Sequence, residues 1–247
     1  MTEYHGNVHV GGPAQTHELA QLMITKVAVG PMDNNAYLLR CRLTDEQVLI
    51  DAANDADTLL NVIGSEGISK VITTHRHGDH WQALAEVIAR TSAQTVAGQY
   101  DAEGIEVPTD EPVEDGDRIH FGQIGLEVIH LVGHTPGSIA LLYDDPTGPP
   151  HVFTGDSLFP GGVGNTRGDA ENFLSAERRG DQALRPAPGR DLGLPRPRRR
   201  HQPRHRTPQP PGVARSRLVD PSTLIERPPV ISAVARSKYD RDPRLRV

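Results

Sequence analysis

The side chains best suited to chemistry lie in Thr74-His75-Arg76-His77-Gly78-Asp79-His80. Three histidines and one aspartate fall within the six positions from His75 to His80. Imidazole nitrogen and carboxylate oxygen are donors that a divalent metal ion accepts. Histidines also cluster by chance on surfaces, and helix starts favour aspartate. Four donors at this spacing behind an apolar, β-branched run argue for a site instead. Two later stretches offer the same donor types, His134 in Gly133-His134-Thr135-Pro136-Gly137-Ser138 and Asp156 in Thr154-Gly155-Asp156-Ser157.

The elements around these residues explain how they could meet. Lys70-Val71-Ile72-Thr73 reads as a short buried strand. Trp81, Leu84, Ala85, Val87 and Ile88 recur at helical spacing, which predicts a helix over 81–90. The histidines of 75–80 therefore sit on a turn between strand and helix. His134 follows a predicted strand over 126–131, and Asp156 ends one that starts at His151. Three strand-to-loop junctions, each delivering a metal-type side chain, favour one shared site. Further strands are predicted over 23–29, 34–41, 47–51, 95–97, 118–121 and 139–143. Residues 55–63 read as a helix with Leu59, Leu60 and Ile63 on one face. Asp51 closes its strand, either as a functional carboxylate or as a cap for the next segment. Asp101–Asp117 reads as an acidic loop. Two β-rich halves with helices between and after them predict stacked sheets flanked by helices, with ligands on loops at one edge.

A chain of 247 residues can bury a sizeable core. Only 36% of its residues are hydrophobic and 4% aromatic, so part of it does not read as core-forming. The single cysteine, Cys41, excludes an internal disulfide and a thiolate metal cluster, and agrees with a reducing cytoplasmic setting. The N-terminus does not read as a signal peptide, and no apolar run is long enough to span a membrane. The net charge of -6 averages two unlike parts. Residues 1–172 hold 8 Lys+Arg against 25 Asp+Glu, whereas 173–247 hold 18 against 7, together with 12 of the 21 prolines. The expected organisation is an N-terminal arm or edge hairpin over 1–22, a folded domain over 23–173, and an Arg/Pro-rich, disordered or irregular tail over 174–247.

In order, the motifs at 74–80, 133–138 and 154–159 resemble successive metal motifs of the metallo-β-lactamase superfamily. The branch they are most similar to is the glyoxalase II (hydroxyacylglutathione hydrolase) type. Asn34–Leu39, Leu49–Asp51 and Gly161-Gly162-Val163-Gly164-Asn165-Thr166 also match its pattern. The resemblance covers about residues 23–173 and implies a four-layer αββα sandwich with two metal ions, usually zinc, sometimes iron or manganese. It implies His75, His77 and His134 on the first ion, Asp79 and His80 on the second, and Asp156 bridging both. Paired cations acidify water into a nucleophile near neutral pH, and Asp79 and Asp156 are placed to orient it or carry its proton. The implied activity is hydrolysis of a small-molecule thioester or related carbonyl ester. Alternatives are a lactonase or other hydrolase of this fold, an iron-dependent persulfide dioxygenase, and an RNA-processing or nucleic-acid-binding protein using the Arg-rich tail. The acidic domain argues against nucleic acid as its substrate. His120, His130, His151 and the N-terminal histidines match no motif and read as ordinary side chains.

The resemblance also implies one more histidine for the second ion, in a Pro-Gly-His-Gly type turn downstream of Asp156. No such turn occurs after Phe173, and the remaining His201 and His205 lie within an Arg-rich run. The prolines would break the family's C-terminal substrate-binding helices. The genetic code offers a reason. Read one base later, the codons allowed for Gln182–Gly189 permit Lys-Leu-Phe-Asp-Arg-Leu-Pro-Asp. Those for Arg190–Arg198 permit Glu-Thr-Trp-Val-Tyr-Pro-Gly-His-Gly, with the histidine codon straddling Pro197 and Arg198. Those for Arg199–Arg204 permit Ala-Asp-Thr-(Asn or Ser)-Leu-Gly. Residues from about 174 onward thus read as an out-of-frame tail, from a mutation or a sequencing error. The competing reading is a basic segment that neutralises phosphates.

Overall fold

The computed structural model describes residues 4–159, 162–163 and 231–232. Within 174–247, read as disordered or irregular, Ile231–Ser232 instead pair as a strand with Val152–Phe153; the rest of that reading falls outside the described residues. The first sheet has seven strands in sequence order: β1 Gln15–Glu18, β2 Leu22–Val29, β3 Asn34–Cys41, β4 Gln47–Ile50, β5 Lys70–Thr73, β6 Gln94–Gly98 and β7 Glu111–Val113. β1 to β4 pair antiparallel, and β4 to β7 run parallel. Helices α1 Ala56–Ile63 and α2 Leu84–Thr91 make the crossovers from β4 to β5 and from β5 to β6. A short helix, α3 Gln99–Ala102, follows β6. The second sheet has the order β14-β11-β10-β9-β8, from β8 Arg118–Phe121, β9 Ile124–His130, β10 Ile139–Tyr143, β11 His151–Phe153 and β14 Ile231–Ser232. β12 Leu158–Phe159 and β13 Gly162–Val163 form a small hairpin.

Local chemistry accounts for the elements. β3 is buried along nearly its whole length, as its run of Ala36, Tyr37, Leu38 and Leu39 requires. Asp55 caps α1, accepting from Thr58 N at 3.2 Å and from Thr58 Oγ1 at 2.7 Å. One core lies between the sheets, where Tyr37 meets Phe153 edge-on with ring centroids 5.2 Å apart. A second lies between the first sheet and α1 and α2, with Leu59, Ile63, Leu84 and Val87 against Leu49 and Val71. The described residues thus supply helix, sheet and sheet layers of the αββα sandwich.

Three sequence readings need correction. The helix over 81–90 begins only at Leu84. Gln82 N and Ala83 N donate to Ala53 O and Ala52 O at 3.2 and 3.0 Å, so the chain docks on the β4–α1 loop before it coils. The strand from His151 stops at Phe153, and Asp156 lies beyond it in the 3-10 turn Gly155–Ser157. The segment 101–117 is not all loop, since it contributes to α3 and forms the edge strand β7. Asp101 there is wholly buried, because donors from distant segments solvate its carboxylate.

Candidate metal centre

Parallel strands place their C-terminal ends at one sheet edge. Asp51 after β4, the 74–80 segment after β5 and α3 after β6 therefore lie side by side. Asp51 takes a left-handed φ of 58°, which turns the chain out of the strand. A 3-10 turn, Gly78–His80, then swings His80 back under the edge, where it is fully buried. The second sheet supplies the β9–β10 loop, carrying His134, and the turn after β11, carrying Asp156. The sheets are tied at this edge by a backbone bond from Ile139 N to Thr74 O, 2.9 Å.

Five of the six residues singled out from the sequence converge here, and Asp79 borders them. One donor atom each from His75, His77 and His134 lies within 4.8 Å of the others, and so does one each from His75, His80 and Asp156. His77 Nδ1 is 2.9 Å from His134 Nε2. Asp156 lies between the two groups, with Oδ1 3.3 Å from His80 Nε2 and Oδ2 3.8 Å from His134 Nε2. Asp79 Oδ2 is 3.9 Å from His80 Nε2. Asn34 Nδ2 steadies Asp79, donating to its backbone oxygen at 2.7 Å and to Oδ2 at 3.1 Å.

Asp51, whose two readings the sequence left open, orients two of the imidazoles. Its carboxylate accepts from Thr74 N, Thr74 Oγ1 and His80 Nδ1 at 2.8, 2.8 and 2.9 Å. The Thr74 hydroxyl spends its proton on Asp51, so it accepts from His75 Nδ1, 3.1 Å away. Protons on both Nδ1 atoms leave each Nε2 directed at the site, as in metal centres where a carboxylate backs the histidine.

The donor set fits a cation. His75 Nε2, His80 Nε2 and Asp156 Oδ1 are buried and have no hydrogen-bond partner, the His80–Asp156 approach being close but misaligned for one. Buried polar atoms are normally hydrogen-bonded, and three converging ones without a hydrogen bond fit a shared cation. Burial, then the charges of His80, His134 and His77, hold His75 well below 6.5, so its imidazole is neutral. Burial alone would lower His80, but the carboxylate of Asp51, with Asp156, raises it to about 10. Burial would raise Asp156, yet His80 and the charges of His134 and His77 hold it below its ordinary value. Between protein groups alone, the His80 imidazolium supplies the positive charge these carboxylates call for.

Comparison with known proteins decides the family. The sequence profile of the metallo-beta-lactamase superfamily matches residues 29–209. The chain belongs to the metallo-β-lactamase superfamily. A hydroxyacylglutathione hydrolase of Fuscovulum blasticum is 35% identical over 134 residues, 53% of this chain and 51% of that protein. The chain thus spans about half the length of that curated relative. The probable metallo-hydrolase YqgX of Bacillus subtilis is 30% identical over 174 residues, covering 61% of this chain and 80% of that one. The solved structure of TTHA1623 in a di-iron-bound form superposes with a TM-score of 0.52 at 29% identity, covering 62% of this chain and 84% of that one.

Within this superfamily domain, two supporting residues escaped the sequence reading. His130 is not idle, because its Nε2–H donates to Pro136 O at 2.7 Å and braces the loop that carries His134. Asp101 opens the segment read as an acidic loop. The signal that could have drawn it out is its position just after the apolar strand β6, in line with Asp51 after β4.

Proposed function

We propose that the chain is a metal-dependent hydrolase acting on a small-molecule thioester or related carbonyl ester, of the glyoxalase II kind. The observation that carries this is the convergence of His75 Nε2, His80 Nε2 and Asp156 Oδ1, buried and without a hydrogen bond, beside His77 and His134. His75, His77 and His134 would hold one ion and Asp79 and His80 a second, with Asp156 a candidate ligand to both. Zinc suits this nitrogen and oxygen set, as do iron and manganese. When bound, the ions supply Lewis acidity and make water nucleophilic near neutral pH. The protein's own part is to hold the imidazoles in place, to keep the donors dry, and to present Asp79 and Asp156 as carboxylates that orient water and move its proton. The hydroxyacylglutathione hydrolase relatives support a thioester over other carbonyl substrates.

The organisation proposed with this function is an arm over 1–22, a catalytic domain over 23–173 and an out-of-frame tail from about 174. The tail proposal rests on the reversal of charge, the prolines and the run of codons that restores a Pro-Gly-His-Gly turn. Resequencing the gene across the codons for Phe173–Arg179 tests it. A one-base insertion or deletion is expected, and an intact frame encoding the same tail in related strains contradicts it. For the activity, the zinc-loaded chain is assayed with a hydroxyacyl thioester of glutathione, a lactone and a persulfide. Thioester cleavage that is lost in His77→Ala is expected. Oxygen-consuming persulfide turnover with one iron per chain would replace the hydrolase reading.

A further inference from the structure

His75 and His77 come from the first sheet and His134 from the second, so their spacing depends on what joins two loops. One side chain binds both. Asp101, in α3, is 0% exposed. Its Oδ2 accepts from Arg76 N at 3.0 Å and from Thr135 Oγ1 at 2.5 Å, and its Oδ1 accepts from Gly137 N at 2.9 Å. Arg76 separates His75 from His77, and Thr135 directly follows His134. The Arg76 guanidinium adds charge compensation, with Nε 3.8 Å from Oδ1. Because the Thr135 proton is given to Asp101, the neighbouring Ser138 hydroxyl donates to Thr135 Oγ1.

The packing shows that this junction is tightly closed. A Cβ on Gly137 would sit 2.3 Å from Asp101 N, and one on Gly98 would sit 2.2 Å from Gly137 O. Backbone thus meets backbone where the His134 loop crosses the β6–α3 corner. A buried carboxylate is costly unless donors surround it. Among the described residues, its hydrogen-bond donors all come from the two ligand loops.

We propose that Asp101 is a positioning residue that sets the span between His75–His77 and His134, and thereby the affinity of that three-histidine site for its metal. The proposal rests on the metal-centre reading above. Asp101 acts through Arg76, Thr135 and Gly137 rather than by ligation. A carboxylate only accepts, so it can draw in donors from both loops at once. An amide in its place turns an NH2 group toward one loop and repels the donor there.

The test uses the full chain, with Asp101→Asn and Thr135→Val. Zinc affinity is read by competition with a chromophoric chelator, and folding by circular dichroism and urea unfolding. Asp101→Asn is expected to keep its fold and weaken the tighter zinc site about 10–100-fold, the range for residues that support metal ligands. Thr135→Val is expected to weaken it less, and the double variant less than the product of the two, because they share one bond. Unchanged zinc affinity in folded variants, with lower stability alone, overturns the proposal. If Asp101→Asn does not fold, Thr135→Val carries the test, and parental affinity there overturns it. A parent chain that takes up no zinc is a different failure, which removes the metal-centre reading and this inference with it.

Discussion

Thr74 shows how much of the site depends on single protons. Its hydroxyl donates to Asp51 and accepts from His75 Nδ1, and its backbone N–H also goes to Asp51. Thr74→Val removes the hydroxyl and leaves the buried His75 N–H unmatched. A loss of about 1–3 kcal/mol is expected in urea unfolding, the cost of an unsatisfied buried donor. Thr74→Ser keeps the hydroxyl and is expected to stay close to the parent. The six candidate ligands were legible in the sequence because short motifs carry them. The residues that orient them were not. Asp51 meets Thr74 and His80 across 23 and 29 residues, and Asp101 meets Arg76, Thr135 and Gly137 across 25, 34 and 36. A carboxylate's burial is decided by donors that only the fold assembles, so Asp101 read as part of an acidic loop.

Among the elements, those whose pattern is local were legible. β3, β8 and β10 fall where apolar periodicity puts them, and α1 starts after the Asp55 cap. Two elements beside the site, α2 and β11, departed from their local pattern. Trp81 is helical by spacing, yet its indole Nε1 donates to Arg76 O at 3.0 Å and the helix waits until Leu84. Tertiary hydrogen bonds overrode periodicity there. The same edge depends on two glycines needed for close approach. Gly98→Ala and Gly137→Ala are each expected to destabilise the chain by about 1–3 kcal/mol, as overpacking does in a close-packed interior. Thermal unfolding monitored by circular dichroism checks this. Neither strand nor loop propensity marks these glycines, because the atoms that would clash belong to other segments.

At the scale of the whole molecule, the two sheets also meet through His151 at the start of β11. It is 2% exposed, and its ring faces His17 of β1 at 5.7 Å and Tyr143 of β10 at 6.4 Å. Burial, then the charge of His17, lower its pKa from 6.5, while Asp145 works against them. As pH falls, the unfolded chain takes up this proton first. The stability tied to neutral His151 is therefore full above pH 6.5 and is lost as pH drops through the lower folded value. His151→Phe removes the proton site, and its unfolding free energy is expected to fall less steeply below pH 6.5 than that of the parent. Among the described residues, no helix is long and apolar enough to cross a membrane. His75, His77, His134, His80, Asp79 and Asp156 make up the proposed metal centre, its last ligand proposed to lie in another reading frame. Its most direct measurement is zinc titration of the full chain against a chelating competitor, with elemental analysis of the product. One tightly held zinc per chain, a second held weakly, and loss of the tight one in His134→Ala are the expected result. A chain that retains no zinc, or that keeps its zinc in His134→Ala, would contradict it.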